Sequence, residues 1–165
     1  MLCPEGRIST PVLRKDKRAI VDVDKYIPYF LSSVNNALSR GASHYYLKNF
    51  GIGIVEWRVV SMLAIEPRIP ASRACEVVAL DKAQTSRSLK RLLELGYVEF
   101  NAAVSDPRKK VWWLNKKGYE LHDRVLEAAL KRERELIRGA EPEDLEAFLR
   151  VIRIMRKNVD TINNN

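Results

Sequence analysis

Between Asp81 and Leu114 the spacing of apolar residues changes once, at Gly96, and this change limits what the chain can fold into. Before it, Thr85, Leu89, Leu92 and Leu93 recur every three or four residues, the period of a helix with one inward face. After it, Tyr97-Val98-Glu99-Phe100 and Val111-Trp112-Trp113-Leu114 form two short runs rich in β-branched and aromatic residues, which read as strands. Asp81 is placed to cap the helix and Gly96 to stop it. Asp106-Pro107 predicts the turn between the strands, so Arg108, Lys109 and Lys110 are expected at the tip of a basic hairpin.

Two further helices precede this unit. Ile54, Trp57, Val60, Leu63 and Ala64 share one helical face, and Pro67 and Pro70 mark its end. A short helix over Ala71–Val78 is expected to bury Ala74, Val77 and Val78. Further upstream, Ile27, Phe30, Leu31, Val34 and Leu38 predict a helix from Asp22 or Asp24 to about Lys48, with Pro28 in its first turn. Downstream, Tyr119, Leu121, Val125, Leu126, Ala129 and Leu136 predict a long helix that Gly139 ends. Glu141-Pro142-Glu143-Asp144 then opens a last helix, its acids placed as the helix dipole favours. Its apolar face is Leu145, Phe148, Leu149, Ile152, Met155 and Val159, and the terminal TINNN is expected to fray. The fold class is therefore mostly α with a small β-hairpin. Its organisation is a basic flexible tail at 1–20, a helix at 21–50, a helix-turn-helix and hairpin lobe at 51–118, and two helices at 119–160.

Charge narrows the function. The 165 residues carry 29 Lys and Arg against 21 Asp and Glu, a net charge of +8. Residues 66–118 hold eleven basic and six acidic residues, whereas residues 119–165 hold nine and ten. A cationic middle suggests a polyanionic partner, and a balanced last third suggests a salt-bridged helical surface. No apolar run is long enough to span a bilayer, and the first twenty residues have no signal-peptide core, so no membrane role is expected and a cytoplasmic location is. Cys3 and Cys75 are too few for a disulfide framework; Cys75 reads as a small packing residue, with a redox sensor as the rival reading, and Cys3 as incidental. His44 and His122 make no zinc spacing with them. No Ser-His-Asp order or phosphate-cradling glycine loop suggests an enzyme, and no cofactor is expected.

Helix, short helix, turn, polar-faced helix and basic hairpin together describe a winged helix-turn-helix. Such a second helix needs an apolar side for packing and a polar, cationic side for base edges and phosphates. Lys82, Gln84, Ser86, Arg87, Lys90 and Arg91 supply that side, and Arg108, Lys109 and Lys110 are offered to the neighbouring groove or backbone. The expected partner is double-stranded DNA. The first helix and the last two are also more apolar than a monomer with a compact core needs, which predicts a homodimer. The rival reading is a winged-helix protein-interaction module without specific DNA binding.

The stretch LDKAQTSRSLKRLLELGYVEFNAAVSDPRKKVWWLNKKG resembles the core of MarR-type transcriptional regulators. Asp81-Lys82, Arg87, Leu92, Gly96, Val98, Asp106-Pro107-Arg108, Leu114 and Lys117-Gly118 fall at the family's motif positions, and Glu56-Trp57-Arg58-Val59-Val60 resembles its second helix. The likeness spans about residues 24–160. It departs from the pattern at Asn115, where Thr is usual, at Ala79, where Gly is common, and at Ser88, where an aliphatic residue is usual. The resemblance implies a homodimeric regulator, expected to be a repressor that a small effector releases from DNA. It also implies an effector such as an aromatic acid or its CoA thioester, held between the dimer helices and the DNA-binding lobe. The candidate lining residues are Tyr26, Phe30, His44, Tyr45, Tyr46, Phe50 and Trp57, with Arg40, Arg58 or Arg73 to neutralise an acid.

Overall fold

The computed structural model describes residues 9–78, 81–103 and 106–163, with the side chains of residues 77, 78, 107 and 108 outside that description. Cys3, the departure at Ala79 and the expected inward faces of Val77 and Val78 therefore lie outside the described residues. The chain divides into two compact units, Met1–Val125 and Leu126–Asn165.

The first unit opens with a two-stranded hairpin, β1 (Val12–Lys15) and β2 (Arg18–Val21), paired from Val12↔Val21 to Lys15↔Arg18. This corrects the expectation of a structureless tail over residues 12–20. The two-residue turn, Asp16-Lys17, takes positive φ at both positions (49° and 63°), the twist that suits a tight hairpin. Asp22 lies buried behind it: its carboxylate accepts the Asp24 N–H at 3.1 Å and pairs with Lys25 at 3.0 Å. Asp22 thus shapes the entry to the first helix without capping it. Helix α1 (Ile27–Phe50) starts after Tyr26, which offers no side-chain cap, with Pro28 in the first turn.

Helices α2 (Ile54–Ile65), α3 (Ala71–Val78) and α4 (Lys82–Glu94) pack on one another. A three-stranded sheet flanks them, in the order β3 (Ile69–Pro70), β5 (Asp106–Leu114), β4 (Val98–Ala103). The core is Ile52, Val59, Val60, Met62 and Leu63, with Ala74 from α3, Leu89 and Leu92 from α4, and Val98, Trp112 and Leu114 from the sheet. Helix α5 (Lys116–Leu136) adds Leu121 and Val125.

Two glycines fix the junctions. The Gly96 φ of 76° lets the Tyr97 N–H reach the Leu92 carbonyl at 2.9 Å, a left-handed stop that turns α4 directly into β4. A Cβ on Gly118 would collide with the Tyr97 carbonyl oxygen, so only glycine lets α5 start this close to the strand. Asn115 does the capping work expected of a threonine there: its Oδ1 accepts the Gly118 N–H, and its Nδ2 donates to the Gly96 carbonyl, both at 3.0 Å.

The second unit holds the rest of α5 and α6 (Pro142–Asn163), with Glu143 and Asp144 in the first turn of α6. Helix α6 extends through Thr161–Asn163, further than the expected fraying allowed. It has no buried residue: Phe148 is 57% exposed and Ile154 60%. Among the described residues, no helix is long and apolar enough to cross a membrane.

Candidate nucleic-acid interface

Helix α4 owes its two-sidedness to residue spacing. Thr85, Ser88, Leu89 and Leu92 are all buried, at the i, i+3, i+4, i+7 positions of one stripe. Ser88 thus takes an aliphatic residue's place, and its hydroxyl finds a partner, donating to Glu56 Oε1 at 3.3 Å. The other oxygen of Glu56 accepts the Gly53 N–H at 2.9 Å, so one carboxylate ties α4 to the start of α2. Asp81 caps α4 as the sequence predicts, its Oδ1 accepting the Gln84 N–H at 2.7 Å. Leu93, expected inside, is instead exposed.

At 100° per residue, Arg87 and Lys90 form the crest opposite the buried stripe. Ser86 and Leu93 lie on one flank, Gln84 and Arg91 on the other. All six predicted reading residues are exposed: Lys82, Gln84, Ser86, Arg87, Lys90 and Arg91. They are not equally available. Among the described residues Lys82 and Arg87 have no ion-pair partner, Lys90 lies 3.9 Å from Glu94, and Arg91 donates to the Gly51 carbonyl at 3.3 Å. Arg91 therefore anchors α4 to the end of α1 while its charge stays at the surface.

The wing differs from expectation. Asp106 and Pro107 are not the turn; they belong to β5, with Asp106 paired to Ala103. The next pair is Ala102↔Lys110, so residues 107–109 bulge from the ladder instead of sitting at a hairpin tip. Pro107 is tolerated because β3 pairs only with Val111 and Trp112, leaving its side of the strand open. The residues between, 104 and 105, and the side chain of Arg108 lie outside the description. Lys109 pairs loosely with Asp106 at 3.8 Å. The Lys110 ammonium sits 4.0 Å above the Phe100 ring and 5.9 Å from that of Trp112, the two rings themselves 4.8 Å apart. On a neighbouring strand position, Arg68 stacks 4.4 Å over Trp113.

The candidate effector residues separate into groups. Tyr45, Tyr46, Phe50 and Trp57 form one ring cluster, with centroids 6.0–6.3 Å apart. His122 joins it from α5, 5.6 Å from Trp57, and Arg124 lies 5.5 Å over Phe50. Neither α5 residue was a sequence candidate, because nothing in local spacing links them to a ring more than sixty positions away. Tyr26 and Phe30 lie about 22 Å or more up the α1 axis from Tyr45, at 1.5 Å per residue, too far to line the same pocket in one protomer. Arg40 borders a separate shallow depression with Tyr29 and Ser32, and His44 is exposed outside the ring cluster. Arg58 is half-buried on α2. Arg73 is committed elsewhere: it grips Glu66 through Nε and Nη2 at 2.9 and 2.8 Å, and reaches Glu76 at 3.4 Å. Hydrogen bonding to Arg73 holds the Glu66 carboxyl below its usual range, and the same bond raises Arg73. Cys75 is a free, half-buried thiol on α3. Among the described residues no three His, Cys, Asp or Glu side chains converge as a metal site would require.

A buried-stripe helix in a three-helix lobe, followed by a β-wing carrying lysines, defines a winged helix-turn-helix protein. The MarR family model matches residues 50–109. The chain is similar to a MarR/EmrR family transcriptional regulator from Acinetobacter sp. ADP1, at 28% identity over 86% of this chain and 99% of that one, with a TM-score of 0.79. The fold is shared with the regulator PcaV of Streptomyces coelicolor, solved with its natural ligand, at 19% identity and a TM-score of 0.71 over 85% of this chain and 98% of that one. It is shared too with S. aureus MepR, solved bound to DNA, at 14% identity and 0.72 over 82% and 98%. No curated protein matches the chain. The likeness to the MarR family in sequence thus covers residues 50–109, and the fold is that of MarR-family winged helix-turn-helix regulators.

Proposed function

We propose that the protein is a homodimeric repressor that holds a pseudo-palindromic operator and leaves it when a small effector binds. Residues 51–118 are the reading lobe, and residues 21–50 and 119–160 the dimerisation helices. One observation carries this reading: α4 presents Arg87 on its crest and Lys82 in its first turn, both exposed and without ion-pair partners among the described residues, on a helix whose opposite stripe is fully buried. Arg87 and Gln84 suit base edges; Lys82, Lys90 and Arg91 suit phosphates, as do Arg108, Lys109 and Lys110 from the wing.

Dimerisation is supported by unburied apolar side chains on α1 (Phe30, Leu31, Val34) and α6 (Phe148, Leu149, Ile154). Two copies then set half-sites about 34 Å apart, one helical turn. The effector class, an aromatic acid or its CoA thioester, is supported by the ring cluster around Tyr45 and Trp57, with Arg58 on the adjoining helix. PcaV, of like fold, was solved with a natural ligand. The protein works in the cytoplasm, where its DNA is.

Footprinting on DNA upstream of its own gene tests this. Two symmetric protected halves, lost on adding the effector, are expected. Weak protection at low salt only, without sequence preference, would instead favour a protein-interaction module.

A further inference from the structure

The β1–β2 hairpin lacks what ordinarily holds two strands together. Among its paired residues only Val12 is half-buried; the rest are exposed, Leu13 at 47% and Ile20 at 42%. A two-stranded hairpin in water is marginal unless one face packs on something. Directly paired residues share a face, so Leu13, Lys15, Arg18 and Ile20 lie on one side, and Val12, Arg14, Ala19 and Val21 on the other. The first side is graded, apolar towards the base and cationic towards the turn. Arg14, Lys15, Lys17 and Arg18 have no ion-pair partner among the described residues. The base is closed: the Asp22 N–H donates to the Pro11 carbonyl at 2.8 Å, so the hairpin does not hang from a slack linker.

The start of α6 carries the complement. Glu141, Glu143, Asp144 and Glu146 are exposed, have no ion-pair partner among the described residues, and are followed by no basic residue before Arg150. Glu141, Asp144, Phe148 and Val151 fall at i, i+3, i+7 and i+10, one stripe that is exposed throughout. It is graded too, acid first and apolar after. Asp144 and Phe148 are about 6 Å apart along the helix, and Lys15 and Leu13 about 7 Å apart along their strand, so the two gradients have matching steps. DNA is the other polyanion that would suit the cations. Helix α1, with 24 residues and a length of about 36 Å, lies between the hairpin and the reading lobe, and DNA would leave Leu13 and Ile20 uncovered.

We propose that the β1–β2 hairpin is an arm that grips the start of α6 in a second copy of this chain. Leu13 and Ile20 lie on Phe148 and Val151, and Lys15 and Arg18 lie beside Asp144 and Glu141. The arm rests on the proposed dimer of α1 and α6. Each protomer both reaches and is reached, so the contact occurs twice about the two-fold. Exposed ion pairs contribute little singly; the apolar half supplies affinity, and the charged half selects the surface and the direction of the arm along it.

The test uses the full chain in sedimentation equilibrium at low salt. Lys15→Glu with Arg18→Glu should raise the dimer Kd about tenfold or more, because repulsion acts at both symmetric contacts. Glu141→Lys with Asp144→Lys should do the same. Mixed in equal amounts, the two double variants should form heterodimers of wild-type affinity, since every arm then meets opposite charge. Arg14→Glu, on the other side of the hairpin, should shift the Kd by no more than about threefold. Leu13→Ser with Ile20→Ser leaves the charge untouched and should weaken the dimer severalfold while the lobe's thermal transition stays in place, which guards against a folding defect in the charge variants. Charge-reversed variants that dimerise like the wild type would overturn the arm and leave the dimer reading standing. Weakening in both without recovery on mixing would put the contact within one chain and overturn it too. Reversal at Lys15 and Arg18 that spares the dimer but lowers DNA affinity and its salt slope would give the hairpin to DNA instead. A wild-type chain that is monomeric at every concentration would remove dimer and arm together.

Discussion

The reading lobe and the last helix are made of similar residues and end up differently. In the lobe, Ile52, Val59, Val60, Leu63 and Leu92 are fully buried. Along α6, Phe148, Leu149, Val151 and Ile154 are all exposed, and no residue of the helix is buried. Helix α1 resembles α6, with only Ala42 and Tyr46 buried in twenty-four residues. The lobe buries its own hydrophobic residues, whereas α1 and α6 leave most of theirs exposed. Under the proposed dimer, self-sufficient packing and association fall to different stretches of one sequence.

The hardest way to break this contrast is to damage the lobe. Leu63→Ala should destabilise the protein by about 2–5 kcal/mol in urea unfolding, because the site is fully enclosed. An equal truncation, Leu149→Ala, should leave the lobe's unfolding transition nearly unchanged. Next in size is Phe148→Glu, which should shift the species seen by sedimentation from dimer to monomer and lower operator affinity at least tenfold, about 1.4 kcal/mol. A variant that stays dimeric would show that α6 is not an interface. Third, Arg87→Ala should weaken operator binding by about 1–3 kcal/mol and relax base preference at one position. Arg108→Ala should weaken binding more evenly across sequences and reduce the salt slope by about one. Both variants should keep wild-type thermal stability.

The smallest effect concerns Arg73 and Glu66. The depressed Glu66 carboxyl contributes stability that is present above the ordinary carboxylate range and lost as pH falls through its lowered value in the folded protein. Both groups lie in solvent, where water and salt screen the pair. Arg73→Ala should therefore leave the melting temperature almost unmoved at pH 7, and its small deficit should vanish in acid.

The legible parts of the molecule were those encoded by local spacing. Helices α2, α3 and α4, the Asp81 cap, the Gly96 stop and the two strands of the wing follow from period and turn residues that act over a few positions. The β1–β2 hairpin was missed because its tight turn is Asp16-Lys17, without the glycine that normally marks positive φ. The wing turn was misplaced for a related reason: Asp106-Pro107 looks like a corner, and the bulge that absorbs it depends on where β3 stops pairing. Among the effector candidates, aromatic type grouped Tyr26 and Phe30 with Tyr45, although helical rise alone separates them. Contacts such as Trp57 with His122, or Ser88 with Glu56, join distant stretches and leave no trace in spacing.

The junction at Gly118 has one further consequence. Strand β4 and helix α5 meet backbone to backbone there, with Asn115 clamping both. The first turn of α5 therefore sits directly against the Tyr97 carbonyl and the Leu114 side chain. Any rotation of that first helical turn would have to carry the Tyr97 carbonyl, and the strand that follows it, along with it.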